Sequence, residues 1–386
     1  MMSVRRLVER LAGRWATAAA PRVAPGVYHY QRESGGTYTR FHLRVDPSGH
    51  GLLLANATAA ARLRPSGITI AKGLLDGLDE AAIAAGLKAR FAGAAEADLQ
   101  RDIDEVRRVI TTLDSPGDNY PILNLDDPTF TAGAAAGDPP LAADVPFAEP
   151  QRLRPLLDRL WDLGIPHVTF LVGENPDAGA LVHLVEHAED LGMISGVRGR
   201  GSDLARGTLI GDLAQAGVDH VNVLYLSARN DVHNALAGGA DHQKAVQALK
   251  EIHKSEVCPV AELALTRTTL ATLEETLGAL AALGVTNVCF FGVLATDEAT
   301  AREALSEQEL LHASERVEDA ALKDNVRYLW YPPVKHYPTL PLARLVRRGS
   351  RCSGDRSVRV EPDGSIIPAR GPFEPIGNVF RERIWP

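Results

Sequence analysis

Cysteine is scarce in this chain. Its 386 residues hold three, Cys258, Cys289 and Cys352, with no CxxC or CxxxCxxC spacing. Three scattered thiols cannot supply four thiolates to a metal and argue against a disulfide framework. Cys258 and Cys289 fall in or beside predicted strands and read as core residues. His233, His242, His253, His312 and His336 lack the close Cys or carboxylate spacing of a zinc site, and read as structural or solvated. GxGxxG, Walker, GxSxG and zincin patterns are all absent. No apolar run reaches the roughly 18 residues of a membrane-spanning helix, so a cytoplasmic location is expected. Residues 1–21 lack a clean signal-peptide core. Arg5, Arg6, Arg10 and Arg14 interleave there with Leu7, Val8 and Leu11, as in a basic amphipathic leader helix. Basic excess is missing as well. The formal net charge is -8, which weighs against non-specific nucleic-acid binding.

Apolar residues are plentiful, at 45% of the chain, and the length predicts two or three domains. In residues 22–115, Val27–Tyr30, Tyr38–Val45 and Gly51–Ala55 read as strands. Turns at Ser34-Gly35-Gly36 and Asp46-Pro47-Ser48-Gly49 separate them. Asn56 is placed to cap a short helix, and Ile68–Leu75 reads as a short strand or helix. Asp79 caps a predicted helix over Glu80–Phe91, with Ile83, Leu87 and Phe91 near one face. In Glu96–Leu113 the spacing of Leu99, Ile103, Val106 and Ile110 predicts another. The sum is an α+β, winged-helix-like domain. It binds DNA, receives a peptide on a sheet edge, or only packs against its neighbour. Lys88 and Arg90 are the only bases of the Glu80–Phe91 helix, poor material for reading DNA. Residues 116–140 are a linker rich in Pro, Gly and Asp, in which Asp126-Asp127 starts a turn or binds a cation.

From residue 141 to 345 short apolar runs alternate with amphipathic ones. Predicted strands are Ala142–Phe147, His167–Val172, Ile194–Val197, His220–Leu226, Val257–Leu265, Asn287–Gly292 and Val326–Trp330. Predicted helices between them include Pro150–Leu163, Ala178–Leu191, Thr208–Ala216, Asp241–Glu251, Leu270–Leu283 and Leu305–Asp324. Six or seven parallel strands follow, in a complete or partial barrel or an open α/β sheet. The C-terminal strand edge carries function in such folds. Gly173 and Glu174 sit there, and Glu174 is a ligand contact, a solvent-facing loop carboxylate or a helix-terminus partner. Arg198 and Arg200, with neighbouring glycines, are suited to grip a carboxylate or phosphate, or lie on the surface. Ser227 and Arg229 end the fourth strand. Tyr331–Tyr337 lines the barrel mouth or closes it.

Three runs in the front domain carry a resemblance: Val23-Ala24-Pro25-Gly26, Leu52–Ala59 and Leu74–Glu80. Together they resemble the PqqD-type domain, which holds leader peptides for enzymes that modify ribosomally made peptides. Leu141–Val145, Val172–Pro176 and Gly211–Gly239 resemble radical S-adenosylmethionine enzymes, in the branch with a cysteine-rich SPASM extension. Cys352 and Val358–Pro368, around Asp363-Gly364, resemble the start of that extension, so residues 346–386 are expected to form a degenerate SPASM-like hairpin. Ile376–Val379 and Ile384-Trp385 resemble its closing pattern. The resemblance implies a partial (β/α)6 barrel of radical S-adenosylmethionine type. It implies an amine-binding role for Gly173-Glu174, and contacts to the cofactor's ribose and carboxylate near Ser227 and Arg229. The departures are large. Val145–Pro150 runs straight into the first helix where the family has CxxxCxxC, and no cysteine stands near Ala369. The ligands of an iron–sulfur cluster are therefore missing.

A non-catalytic relative of peptide maturases is the expectation. Its front domain would bind a precursor or leader peptide, and its barrel an active radical enzyme, as a heteromer. The alternative is an enzyme with cluster-free chemistry, with S-adenosylmethionine bound by Gly173, Glu174, Arg198, Arg200, Ser227 and Arg229. A DNA-binding regulator is the weakest reading.

Overall fold

The period-two and period-3.6 patterns of the sequence belong to two separate units in the computed structural model of the protein. The structure describes residues 23–34, 37–45, 49–55, 59–90, 95–114, 140, 142–163, 165–255, 257–293, 295–324, 327–330, 357–368 and 374–381. The leader at 1–21, the connector up to 139, Tyr331–Tyr337, Cys352, Ala369 and Ile384-Trp385 lie outside the described residues.

The first unit is an antiparallel meander followed by three helices. Strands β1 (Gly26–Ser34), β2 (Thr37–Val45), β3 (Gly51–Ala55) and β4 (Ala59–Leu63) pair in chain order. Phe41, Leu43 and Val45 alternate inward on β2, and all five residues of β3 are buried. Helices α1 (Pro65–Leu75), α2 (Glu80–Arg90) and α3 (Glu96–Asp114) follow. They bury Ile68 and Ile70, then Ile83 and Leu87, then Leu99, Ile103, Val106 and Ile110. One alternative is settled and one expectation is corrected. Of the strand or helix read at Ile68–Leu75, the helix is found, as part of a helix that starts with Pro65 in its first turn, where a missing N–H costs nothing. The stretch after Asn56, read as a short helix, is the fourth strand. Leu53 pairs with Ala61 and Gly51 with Leu63, and that ladder overrides the helix preference of alanine. Asn56 itself is outside the described residues.

The second unit carries the parallel array. Its strands are β5 (Ala142–Pro146), β6 (His167–Leu171), β7 (Ile194–Gly199), β8 (His220–Leu224), β9 (Cys258–Leu265), β10 (Asn287–Gly292) and β11 (Arg327–Trp330). They lie side by side in chain order, every pair parallel. The connecting helices are α4 (Pro150–Asp162), α5 (Ala178–Leu191), α6 (Gly201–Leu204), α7 (Leu209–Gln215), α8 (Asn230–Ala237), α9 (His242–Lys254), α10 (Arg267–Leu270), α11 (Leu273–Ala282), α12 (Glu298–Glu303) and α13 (Glu307–Asp324). One strand face meets these helices. Val145, Phe170, Val197, Val223, Leu263 and Phe290 join Leu153, Leu156, Leu157, Leu160, Leu184 and Leu277 in one core. Burial of such side chains, at about 1.5–3 kcal/mol each, drives this layer together.

The other strand face is polar and concave. A flat sheet would separate β5 from β9 by four spacings of roughly 4.8 Å. Yet the Arg198 guanidinium on β7 lies 3.0 Å from Asp144 on β5 and 3.6 Å from Glu262 on β9. Only a strongly curled array permits that, so the expected partial barrel is the architecture found. Beyond β5 the sheet continues with β12 (Ser357–Val360), parallel to β5, then β13 (Ser365–Pro368) and β14 (Gly377–Asn378), both antiparallel to their neighbours. The β12–β13 turn contains Asp363-Gly364, where Gly364 has φ +84, a left-handed conformation that suits glycine.

Candidate functional site

The C-terminal ends of β6 to β9 surround a cavity of about 410 Å³. Leu171, Val172, Gly173, Glu174, Arg198, Gly199, Arg200, Asp203, Leu224 and Glu262 line it. Of the six residues singled out in the sequence, the fold brings together Gly173, Glu174, Arg198 and Arg200. Close backbone packing sets the two arginines in place. A side chain at Gly199 would strike Val172, and one at Gly201 would lie 2.0 Å from the Ala245 nitrogen. Arg200 donates to Glu174 Oε1 at 3.1 Å, to Asp203 Oδ2 at 3.3 Å and to the Ala237 carbonyl at 3.5 Å. Glu174 is held only at its tip, and its side chain is 78% exposed. Asn175, next in the chain, has φ 51, the only positive value at a non-glycine among the described residues.

Of the six, Ser227 and Arg229 do not line this cavity. Ser227 is buried, bonded to Thr272 Oγ1 at 2.8 Å, and accepts the Arg229 backbone N–H at 3.1 Å. The chain has by then turned from β8 into α8. Arg229 occupies the N-cap position, and its guanidinium pairs in solvent with Asp231 at 2.8 Å.

Beneath the cavity, polar residues cross the concave face as a continuous chain. Asn222 on β8 donates through Nδ2 to Glu262 Oε1 at 2.9 Å. Its Oδ1, which can only accept, lies 2.7 Å from His220 Nδ1, so that nitrogen carries the His220 proton. His220 Nε2 is then the acceptor for the His167 Nε2–H at 2.7 Å. Burial pushes the His220 pKa down, in keeping with a neutral ring that has one proton to give. The His220 ring occupies the place where Gly196 would carry a side chain. A Cβ there would stand 2.0 Å from His220 Cε1. All donors in this chain point toward Glu262, which is 3% exposed.

Behind Arg200 a second cluster fixes the local backbone. Asp241 accepts from the N–H groups of Gly201 at 3.2 Å and Ser202 at 2.6 Å, and from His233 Nε2 at 3.2 Å. Burial raises the Asp241 pKa, but these hydrogen bonds outweigh it and bring the value down to about 2. His233 is fully buried and also accepts the Leu226 N–H at 3.1 Å, so the structural reading of this histidine stands.

Asp144, His167, Asn222, His220, Asp203 and Glu262 were not foreseen. The available signal was polar residues at alternate positions, as in His220-Val221-Asn222-Val223. Strands buried on both faces read as continuous apolar runs, so alternation marks a lined interior.

The iron–sulfur cluster implied by the family resemblance does not fit these residues. After β5 the Phe147 N–H bonds to the Leu171 carbonyl at 2.9 Å, and α4 starts at Pro150, with no cysteine between. Cys289 is buried on β10 and Cys258 begins β9. No step through a cluster is derived.

No protein-family model and no curated protein matches the chain. Solved structures do. Streptococcus suis SuiB bound to S-adenosylmethionine has a TM-score of 0.53 at 12% identity, covering 92% of this chain and 86% of that one. SuiB bound to the precursor peptide SuiA has a TM-score of 0.52 at 11% identity, covering 90% and 86%. At such identity the likeness establishes the fold, and it agrees with the radical S-adenosylmethionine barrel implied by the sequence motifs.

Proposed function

We propose that the protein is a non-catalytic, peptide-associated relative of radical peptide maturases. In this reading the unit of residues 23–114 binds a precursor or leader peptide, and the barrel docks on an active radical enzyme. One combination carries it: a sheet-and-helix unit precedes a radical-type barrel whose first strand runs directly into its helix, without thiolates for a cluster. SuiB, similar over 90% of this chain, has been crystallised with a precursor peptide, which supports a peptide as partner. In the first unit β2 and β4 take both edges of β3, so β1 and β4 offer the edges to which a peptide strand would add. Among the described residues no helix is long and apolar enough to cross a membrane. A cytoplasmic location remains part of the proposal.

Co-expression with a radical enzyme and a small precursor peptide encoded nearby tests this, read by light scattering coupled to size exclusion. A stable complex, with iron held by the partner, is the expected result. A chain that elutes alone, and binds neither enzyme nor peptide, overturns it. The alternative, S-adenosylmethionine bound without a cluster, draws on Glu174 and Arg198 at the cavity. A flat calorimetric titration with that cofactor would remove it.

A further inference from the structure

We propose that the outer face of α5 is a binding site for a d-block divalent cation of the Zn²⁺, Ni²⁺ and Cu²⁺ class, with His183 and His187 as its ligands. This goes beyond the peptide-associated reading and does not depend on it. Neither histidine lines the cavity at the strand ends. Helix α5 turns Leu181, Leu184, Val185 and Ala188 to the core. The period of 3.6 then sets His183, Glu186 and His187 together on the opposite face. Side chains four residues apart start about 5–6 Å from each other at Cβ, and the later one leans back over the earlier. Two imidazoles so placed can reach one ion.

The hydrogen bonds of the two rings prepare them for that role. His183 Nδ1 lies 2.8 Å from Glu186 Oε2, and His187 Nε2 lies 2.8 Å from Asp158 Oδ1 on α4. An ionised carboxylate only accepts, so each of these nitrogens carries a proton. In the neutral rings the lone pairs then sit on His183 Nε2 and His187 Nδ1. Metal-bound histidine is held in the same way. Its far N–H rests on a carboxylate, which fixes the tautomer and strengthens the donor nitrogen. Here two rings on one helix face share that arrangement, one carboxylate coming from the same helix and the other from its neighbour.

Exposure divides the work between the two. The His187 side chain is 20% exposed and held between α4 and α5, whereas His183 is 67% exposed and free to swing toward an ion. Asp158 and Glu186 add negative charge beside the rings, which draws a cation. Nitrogen ligands select the class: imidazole suits Zn²⁺, Ni²⁺ and Cu²⁺, whereas Mg²⁺ and Ca²⁺ take oxygen. Among the described residues no three His, Cys, Asp or Glu side chains gather into a metal-holding group. The protein therefore supplies two nitrogens, and water completes the shell. Catalytic zinc is held by three protein ligands, so the inference is one of binding and not of hydrolysis.

The test uses the full, untagged chain and Zn²⁺, Ni²⁺, Cu²⁺ and Mg²⁺, followed by calorimetry at neutral pH. Labelling of histidines with diethyl pyrocarbonate, mapped by mass spectrometry, locates the ion. Zn²⁺ is expected to protect His183 and His187, while His253 on α9 and His312 on α13, both exposed, stay reactive. Cu²⁺ binds most tightly and Mg²⁺ gives no response. His183→Ala and His187→Ala each remove the binding. If the half-buried His187→Ala fails to fold, His183→Ala carries the test, since alanine suits an exposed helix position. Asp158→Asn keeps both ligands and weakens binding about tenfold. The proposal fails if Zn²⁺ does not bind, if protection falls on other histidines alone, if His183→Ala keeps the wild-type affinity, or if Asp158→Asn binds as tightly as the wild type. None of these failures touches the peptide-associated reading, whose readout is complex formation.

Discussion

Gly196 holds a place that no side chain fits, because the His220 ring already fills it. Gly196→Ala is expected to cost about 1–3 kcal/mol in urea unfolding, the usual range for a residue forced into a packed interior. A variant of wild-type stability would mean that the ring moves aside freely. His220 also gives a pH signature. Its pKa is lowered in the fold, so on acidification the unfolded chain takes up the proton first. The contribution of the neutral ring is whole above the unfolded value, about 6.5, and declines as pH falls below it. Unfolding free energies at pH 7.5 and pH 5.5 should therefore differ more in the wild type than in His220→Asn; equal differences would contradict the assignment. At this scale the site was half legible. Glu174 and Arg200 follow strands in loop-like sequence, where a polar residue announces itself. Asp144, Asn222 and Glu262 sit inside strands. Their role depends on which face turns inward and on a curvature that brings strands far apart in the ladder together.

At the scale of elements, Asp241 joins three pieces: the start of α6 behind Arg200, the buried His233 of α8 and the first turn of α9. Its pKa of about 2 lies below the unfolded value of about 3.9. The stabilisation is thus complete above the unfolded value and is lost as pH falls through about 2. Asp241→Asn should lower stability by about 1–3 kcal/mol at neutral pH, with the gap to wild type narrowing near pH 2. A gap that stays constant with pH would show that shape, not charge, matters there. Helix α8 escaped the sequence reading because it is short and buries only His233, which leaves no apolar stripe to detect. Strand β4 was missed for a related reason. Ala59-Ala60-Ala61 reads as helix until the ladder to β3 is known. Helices α3 and α4, with four or five buried residues at regular spacing, were legible from periodicity alone.

For the molecule as a whole, the missing cluster loop gives a direct expectation. Anaerobic incubation of the isolated chain with iron and sulfide should leave no stoichiometric cluster after desalting. Retained cluster iron would overturn the non-catalytic reading. The order of parallel strands was legible because each is followed by an amphipathic helix, and such units stack in sequence. The degree of closure was not, since periodicity carries no information on curvature; the reach of Arg198 to both Asp144 and Glu262 decides it. The seat of the C-terminal hairpin was also hidden. β12 lies directly beside β5, the first strand of the array. During synthesis, then, β5 emerges from the ribosome well before residues 357–360, and among the described strands β6 is its one partner until they are made. An unpaired edge invites wrong strands. The barrel of this protein is thus an object that the ribosome cannot finish piece by piece: the neighbour of its first strand is made only after the whole parallel array.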